Sequence, residues 1–336
     1  MTHADPGRDE RQSAGGPWSA PLGFTAEGRA MAGTLYAPPG AGPFPTIVVI
    51  HSASAGRRDH PQYLHLARAM NAIGVAVYSY DRRGEALPED ERVHPGYMAL
   101  GRDALAAVRM LKAHPAVDAA QIGLWGVSQG GWVAPAAWVQ SPDDIRFMIL
   151  VSSSGVGPAA QMVHAVPHVL RAVGYDAGVA EEGARLRALV DRYYQGEVPR
   201  ETAQAQLDQA RDQPWFGHLY IEATLPETAE DSGWNNERAF DPWTVFSRIT
   251  VPLLLLCGEN DPWIPIEESM AIWRRALAAA GNRDAEIRRI PDTGHSMLLN
   301  EPAYLDDETL RTHPFSPVYT RVIQDFVRLV VAATAE

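Results

Sequence analysis

Gln121-Ile122-Gly123-Leu124-Trp125-Gly126-Val127-Ser128-Gln129-Gly130-Gly131 runs from an apolar segment straight into a serine that has a glycine two residues to either side. The apolar part does not alternate with polar residues, as expected of a strand covered on both faces. A helical pattern resumes at Gln129. A serine at a sharp strand-to-helix turn is held in a strained conformation, and its neighbours must be very small to avoid it. The N–H of Gln129, at the helix start, can then face a developing negative charge. Ser128 is thus the candidate nucleophile and Gln129 a candidate oxyanion donor.

Moving outward from this turn, residues 46–50, 75–80 and 146–151 are further solid apolar runs, and helical patterns at 60–72 and 98–113 separate them. Strands alternating with helices of this length predict an α/β fold built on a mostly parallel, doubly covered sheet. Residues 24–37 read as a short strand pair. Between 155 and 245 the rhythm changes to helices at 160–173, 178–195 and 200–212 followed by a tryptophan-rich stretch, and then a strand at 251–257, a helix at 267–280, a strand at 285–290 and a helix at 317–332 resume the alternation. The expected organisation is a flexible tail over 1–20, a core made of 21–154 and 246–336, and a helical cap over 155–245 inserted above the cleft. Trp215, Trp234 and Trp243 are candidates to line a substrate pocket there, while Arg171, Arg185 and Arg187 read as exposed helix faces.

The 336 residues are 46% apolar, ample for a buried core, and length alone allows one large domain or two modest ones. A net charge of −12 argues against nucleic acid and anionic membrane surfaces as partners. No apolar stretch resembles a signal peptide or a membrane span, so the expected location is cytoplasmic. The single cysteine, Cys257, excludes an internal disulfide and a cysteine-based metal site, and it reads as a buried core thiol.

A serine hydroxyl needs an imidazole to take its proton and a carboxylate to orient that imidazole. Asp261, in the loop after the strand at 251–257, and His295, in the loop after the strand at 285–290, fit those roles. Glu259 and Asp292 are the rival acids. Of the other histidines, His313 reads as exposed, and His164 and His168 are four apart on one helix without a convincing third metal ligand, so no metal is expected. The loop after the strand at 46–50 holds His51, Ser52, Ala53 and Ser54. Ala53 N–H is the second candidate oxyanion donor, and Ser52 can place a hydroxyl beside the scissile carbonyl.

With these residues in place the chain resembles the α/β-hydrolase superfamily, in particular bacterial serine esterases with a helical cap, close to dienelactone-hydrolase-like and acylpeptidase-like enzymes. The resemblance follows the motif order of the His51 loop, Tyr80-Asp81-Arg82-Arg83-Gly84, Gly126 to Gly131, Asp261 and His295. It implies hydrolysis of a small-molecule ester, or of a related acyl bond in an amide, peptide, lactone or C–C substrate, without a cofactor. It also implies that the Tyr80 to Gly84 segment shapes the wall of the site. Ser52 departs from the family pattern, which has glycine there, and this bears on the oxyanion geometry. A non-catalytic ligand-binding relative is the alternative outside enzymes, and a haloalkane dehalogenase would require a carboxylate at position 128. Part of the apolar C-terminal helix is available to a homodimer.

Overall fold

The computed structural model describes residues 16–85, 95–302 and 305–333. The chain opens with four short strands, β1 (Trp18–Pro21), β2 (Phe24–Ala26), β3 (Arg29–Met31) and β4 (Gly33–Ala37). Then come β5 (Phe44–Ile50), α1 (Pro61–Asn71), β6 (Ala76–Tyr80), α2 (Tyr97–Lys112), β7 (Val117–Val127), α3 (Gly130–Trp138) and β8 (Phe147–Val151). A helical segment follows, with α4 (Pro158–Ala172), α5 (Ala177–Tyr194), α6 (Arg200–Ala210) and the single turns α7 (Asn235–Arg238) and α8 (Trp243–Phe246). The chain closes with β9 (Leu253–Gly258), α9 (Ile266–Ala279), β10 (Ala285–Ile290), α10 (Asp307–Thr312) and α11 (Pro317–Ala332).

Eight strands form one sheet in the order β1-β4-β6-β5-β7-β8-β9-β10, and β2 pairs with β3 as a separate ribbon. From β6 to β10 the pairing is parallel, while β1 and β4 run antiparallel at one edge. The apolar runs do not alternate because both faces are buried. Val48, Ile50, Leu124, Leu150 and Leu255 face a layer made by α2, α3 and α9, whereas Ile47, Val49, Trp125, Ile149 and Leu254 face α1 and α11. After β5 the chain crosses by α1 to β6 on one side, then by α2 over the other face to β7 on the opposite side of β5. That reversal opens a crevice at the carboxyl ends of β5 and β7, where open α/β sheets bind ligands. The loop with Ser52 and the turn with Ser128 are the two segments leaving those ends.

The expected flexible tail is corrected in its last part. Trp18 to Pro21 pair with Ala37 to Thr34 as the antiparallel edge strand, and the Trp18 indole donates to the Gly40 carbonyl at 3.0 Å. Four residues carrying Ser, Ala and Pro hold too little apolar pattern to announce a strand; the rest of the expected tail, 1–15, lies outside the described residues. The helical segment between β8 and β9 has an apolar core of its own, including Val166, Leu170, Leu186, Val190 and Leu207. Its end nearest β9 joins a sheet-facing core through Phe240, Val245 and Phe246, with Phe246 stacked on Trp273 of α9 at 3.7 Å and Phe240 edge-on to Tyr97 of α2 at 5.0 Å. The Gln161 amide donates to the Trp263 carbonyl at 3.0 Å. Cys257 is buried in β9, and burial pushes its thiol up to about 12.

Candidate active site

Ser128 stands at φ +54°, a left-handed conformation that a side-chain-bearing residue adopts only where its surroundings impose it. Its N–H is fixed to the Val151 carbonyl at 2.9 Å, and its own carbonyl accepts from Gly131 N–H at 2.8 Å. The surrounding glycines are required by space. A Cβ on Gly126 would lie 2.5 Å from the Gly130 carbonyl oxygen, and one on Gly130 would lie 2.4 Å from that of Ile50. Gln129 caps the N-terminus of α3, where the first N–H groups of a helix have no partner within it. Its backbone is therefore free to serve an external acceptor beside Ser128.

His295 and Asp261 meet directly. The imidazole Nδ1–H donates to Asp261 Oδ2 at 2.8 Å, and the Asp261 side chain is fully buried. Its other oxygen, Oδ1, accepts from Trp263 N–H at 2.8 Å, which fixes the carboxylate plane. The rival acids are elsewhere: Glu259 and Asp292 are exposed, and Glu259 accepts from the Asp292 N–H at 3.3 Å. His295 and Ser128 are anchored at the same strand end, since Ser152 Oγ donates to the His295 carbonyl at 2.7 Å one residue beyond the Val151 that holds Ser128. The His295 loop is tightly folded, with Asp292, Met297 and Asn300 at positive φ. Half-buried Glu301 gathers the N–H groups of Ser296 and Leu298, and desolvation raises its carboxyl. Burial opposes charging of the His295 ring, but the Asp261 charge and hydrogen bond, aided by Glu301, outweigh it and raise its pKa.

The loop after β5 is braced by aromatic and cationic groups. Burial drives His51 down to about 3, so the ring is neutral, and its Nε2–H donates to the Tyr80 carbonyl. Ser52 N–H donates to the Tyr63 hydroxyl at 3.2 Å, which itself donates to the Ala55 carbonyl at 2.6 Å. Ser52 is not among the residues held at positive φ, so serine introduces no left-handed strain where the family pattern has glycine. Ala53 and Ser54 are exposed at the loop's tip. Arg82 joins this loop to the turn: one of its Nη groups donates to the Ser52 carbonyl at 3.1 Å and to Gln129 Oε1 at 3.3 Å. The Gln129 amide nitrogen in turn donates to both oxygens of Glu237, at 3.3 and 3.2 Å. A chain of hydrogen bonds thus runs from the Ser52 loop through Arg82 and Gln129 into the helical segment.

Of the three tryptophans singled out by the sequence, Trp234 lines a cavity in the helical segment. Trp215 is buried in that segment's own core, and Trp243 lies 37% exposed beneath Arg275. Arg171 and Arg185 are exposed, but Arg187 is not: its side chain is 2% exposed and paired with buried Asp191 at 3.1 Å. The i, i+4 spacing of this pair on α5 was open to reading, but the aromatic cover from Trp234 comes from far along the chain. His313 is also half-buried, bonded to the Leu299 carbonyl at 2.9 Å. His164 and His168 stack at 4.1 Å, and among the described residues no group of three or more His, Cys, Asp or Glu is placed to hold a metal ion. Arg82 belongs to the Tyr80 to Gly84 segment that the resemblance assigns to the wall of the site, whereas Glu237, Trp263 and Glu301 carry no motif of their own. The Asp261-Pro262-Trp263 run was the one visible hint, a large aromatic beside the candidate acid.

A serine raised on a left-handed turn at the switch point of such a sheet defines the α/β-hydrolase class. Residues 45–303 match the serine aminopeptidase S33 family, Hydrolase_4, and the chain belongs to that family. It is 23% identical over 310 residues to esterase EstD of Thermotoga maritima, covering 90% of this chain and 65% of EstD. It is 26% identical over 307 residues to human mitochondrial acyl-coenzyme A thioesterase 2, covering 89% of this chain and 52% of the thioesterase. The chain therefore spans less than two thirds of the length of these relatives. Among solved structures, Est1E from Butyrivibrio proteoclasticus with bound ferulic acid aligns at TM-score 0.58 and 17% identity, covering 93% of this chain and 99% of that one. Proline iminopeptidase from Mycobacterium smegmatis aligns at TM-score 0.59 and 14% identity, covering 94% and 100%. Both share the fold. Among the described residues, no helix is long and apolar enough to cross a membrane.

Proposed function

We propose that the protein hydrolyses carboxylic esters of small molecules through an acyl-enzyme on Ser128. His295 takes the Ser128 proton as Oγ attacks the carbonyl carbon, and the resulting oxyanion lies against the N–H groups of Gln129 and Ala53. The same imidazole then passes the proton to the departing alkoxide as the C–O bond breaks. In the second half a water attacks the acyl carbon with His295 again as base, and the proton returns to Oγ as the acid leaves. Asp261 holds the imidazole in the tautomer with its proton on Nδ1 and stabilises the imidazolium. Residues 155–245 act as a cap over the crevice of a core made of 21–154 and 246–336.

The observation that carries this reading is the 2.8 Å bond between His295 and a fully buried Asp261, anchored at the same strand end as a serine at φ +54°. An esterase and a thioesterase among the relatives support an ester or thioester as the scissile bond. The test is hydrolysis of p-nitrophenyl acetate and butyrate, with the Ser128→Ala protein as blank. Turnover should exceed that blank by at least about a thousandfold, and the Tm of the two proteins should agree closely. Equal rates would remove Ser128 from the chemistry. A protein that labels with a fluorophosphonate yet leaves both esters intact would keep the nucleophile and redirect the substrate to thioesters, amides or lactones.

A further inference from the structure

Beside Glu237, which bonds Gln129, the helical segment forms a pocket open to solvent, of about 210 Å³. Trp234, Tyr194 and Tyr220 supply aromatic walls, and Arg187, Glu222 and Glu237 supply charge. Two contacts tie the cavity to the candidate active site. Glu237 in its wall accepts the amide hydrogens of Gln129, the residue after the proposed nucleophile. On the other side Tyr220 packs edge-on against Trp263 at 5.0 Å, and Trp263 packs against His295 at 5.9 Å.

Arg187 is the unusual member of this wall. One Nη donates to the Tyr220 carbonyl at 3.0 Å, the other to Asp191 at 3.1 Å, and the guanidinium lies over the Trp234 ring at 4.7 Å. Its buried Nε–H has no hydrogen-bond partner among the described residues. Tyr220, whose carbonyl Arg187 fastens, is itself held at φ +51°, one of few residues with a side chain in the left-handed region. Unsatisfied buried donors and strained backbone are concentrated where a ligand repays them.

The chemistry of the walls selects the occupant. A cavity of about 150 Å³ holds benzene, so this volume takes one aromatic ring with a small substituent. An aliphatic chain would cover the guanidinium and carboxylates without bonding them, which is costly. An anionic group would face Glu222, Glu237 and Asp191 against a guanidinium that Asp191 already pairs. A neutral hydroxyl both accepts and donates.

We propose that this cavity receives one limb of the ester substrate, a single aromatic ring bearing a neutral hydroxyl that accepts from Arg187 and donates to a wall carboxylate. The assignment deepens the ester-hydrolase reading and rests on it for the identity of the bond cleaved. Calorimetric titration of the Ser128→Ala protein, which leaves the esters intact, tests it. Methyl para-hydroxyphenylpropanoate carries the ring on the acyl limb and para-hydroxyphenethyl acetate carries it on the alcohol limb. One of the two should bind about tenfold tighter than its counterpart lacking the hydroxyl, and about tenfold tighter than methyl octanoate. Adding Ile221→Trp, which fills the cavity from its wall, should remove that advantage in a protein whose circular dichroism is unchanged. Arg187→Met should erase the hydroxyl preference, and is read beside Ile221→Trp because a buried ion-paired residue also supports the fold. Equal binding of the octanoate or of the unhydroxylated ring, or binding indifferent to Ile221→Trp, would overturn the assignment. Turnover of p-nitrophenyl acetate by the unsubstituted protein is scored separately, so loss of the hydrolase reading leaves the titration able to decide what the cavity binds.

Discussion

At His295 two electrostatic effects oppose one another. Burial disfavours the imidazolium, while the Asp261 carboxylate on Nδ1 and the Glu301 charge behind the loop favour it, and the balance lies with the charged form. In the proposed mechanism His295 is a general base that works only when neutral, so a raised pKa places the rising limb of kcat/KM above the ordinary imidazole value of about 6.5. Removing the Asp261 charge must shift that limb to lower pH, because the term that raises the pKa is lost and burial remains. Asp261→Asn should also lower kcat by roughly ten-thousandfold, since the neutral amide stabilises the wrong tautomer. The pH–rate profile of kcat/KM for p-nitrophenyl butyrate checks both; a limb that moves upward or stays in place would mean that another group sets it. The positions of Ser128, Asp261 and His295 at strand ends, and with them the candidate roles, were legible from residue type and position because each follows a strand that its own local sequence announces. Arg82 was legible only as part of the wall-forming Tyr80 to Gly84 segment, its bond to Gln129 47 residues away being hidden. Glu237 was not legible at all, since it reaches Gln129 across 108 residues and acquires a role only through that contact.

At the scale of the element, the turn from β7 into α3 was legible because its glycines answer to space. The clearest unexploited case is Gly131, where an added Cβ would stand 2.1 Å from Ser153 Oγ and 2.4 Å from Ser153 Cβ. Ser153 is fully buried and its hydroxyl has no partner among the described residues, so nothing holds that side chain in place except packing. Gly131→Ala should therefore destabilise the protein by about 1–3 kcal/mol through overpacking. Ser153→Gly in the same chain removes both close atoms, and alanine in a helix is intrinsically better than glycine by about 1 kcal/mol. The double variant should recover more than half of the loss, a coupling that urea unfolding of the four proteins measures directly. Additive losses would place the strain elsewhere in the turn. Short elements were harder to read: β1 is an edge strand of four residues ending in proline, and α10 is six residues long and declared mainly by the Asp306 cap on Thr309 N–H. Neither has length enough for a periodicity to emerge.

For the whole molecule, the main division lies between two sheet-facing cores and the separate apolar core of the helical segment. The change of rhythm after residue 155 disclosed that segment, but which charges it buries was hidden, because burial of Arg187 depends on Trp234 and Tyr220 arriving from distant turns. The Arg187–Asp191 pair sits inside it, with side chains 2% and 6% exposed. Deleting one partner of a buried pair leaves an uncompensated charge and costs about 3–5 kcal/mol. The sheet cores contain neither residue, so the loss falls on the helical segment, whose attachment relies on points such as Gln161 to Trp263 and Glu237 to Gln129. Asp191→Ala should accordingly split thermal unfolding into two calorimetric transitions, the first carrying the tryptophan fluorescence change of the helical segment and the second the loss of the sheet. The double variant Asp191→Ala with Arg187→Met removes the stranded charge and should draw the transitions back together. A single transition lowered as one in Asp191→Ala would mean that the contacts between segment and sheet suffice to make them one cooperative unit.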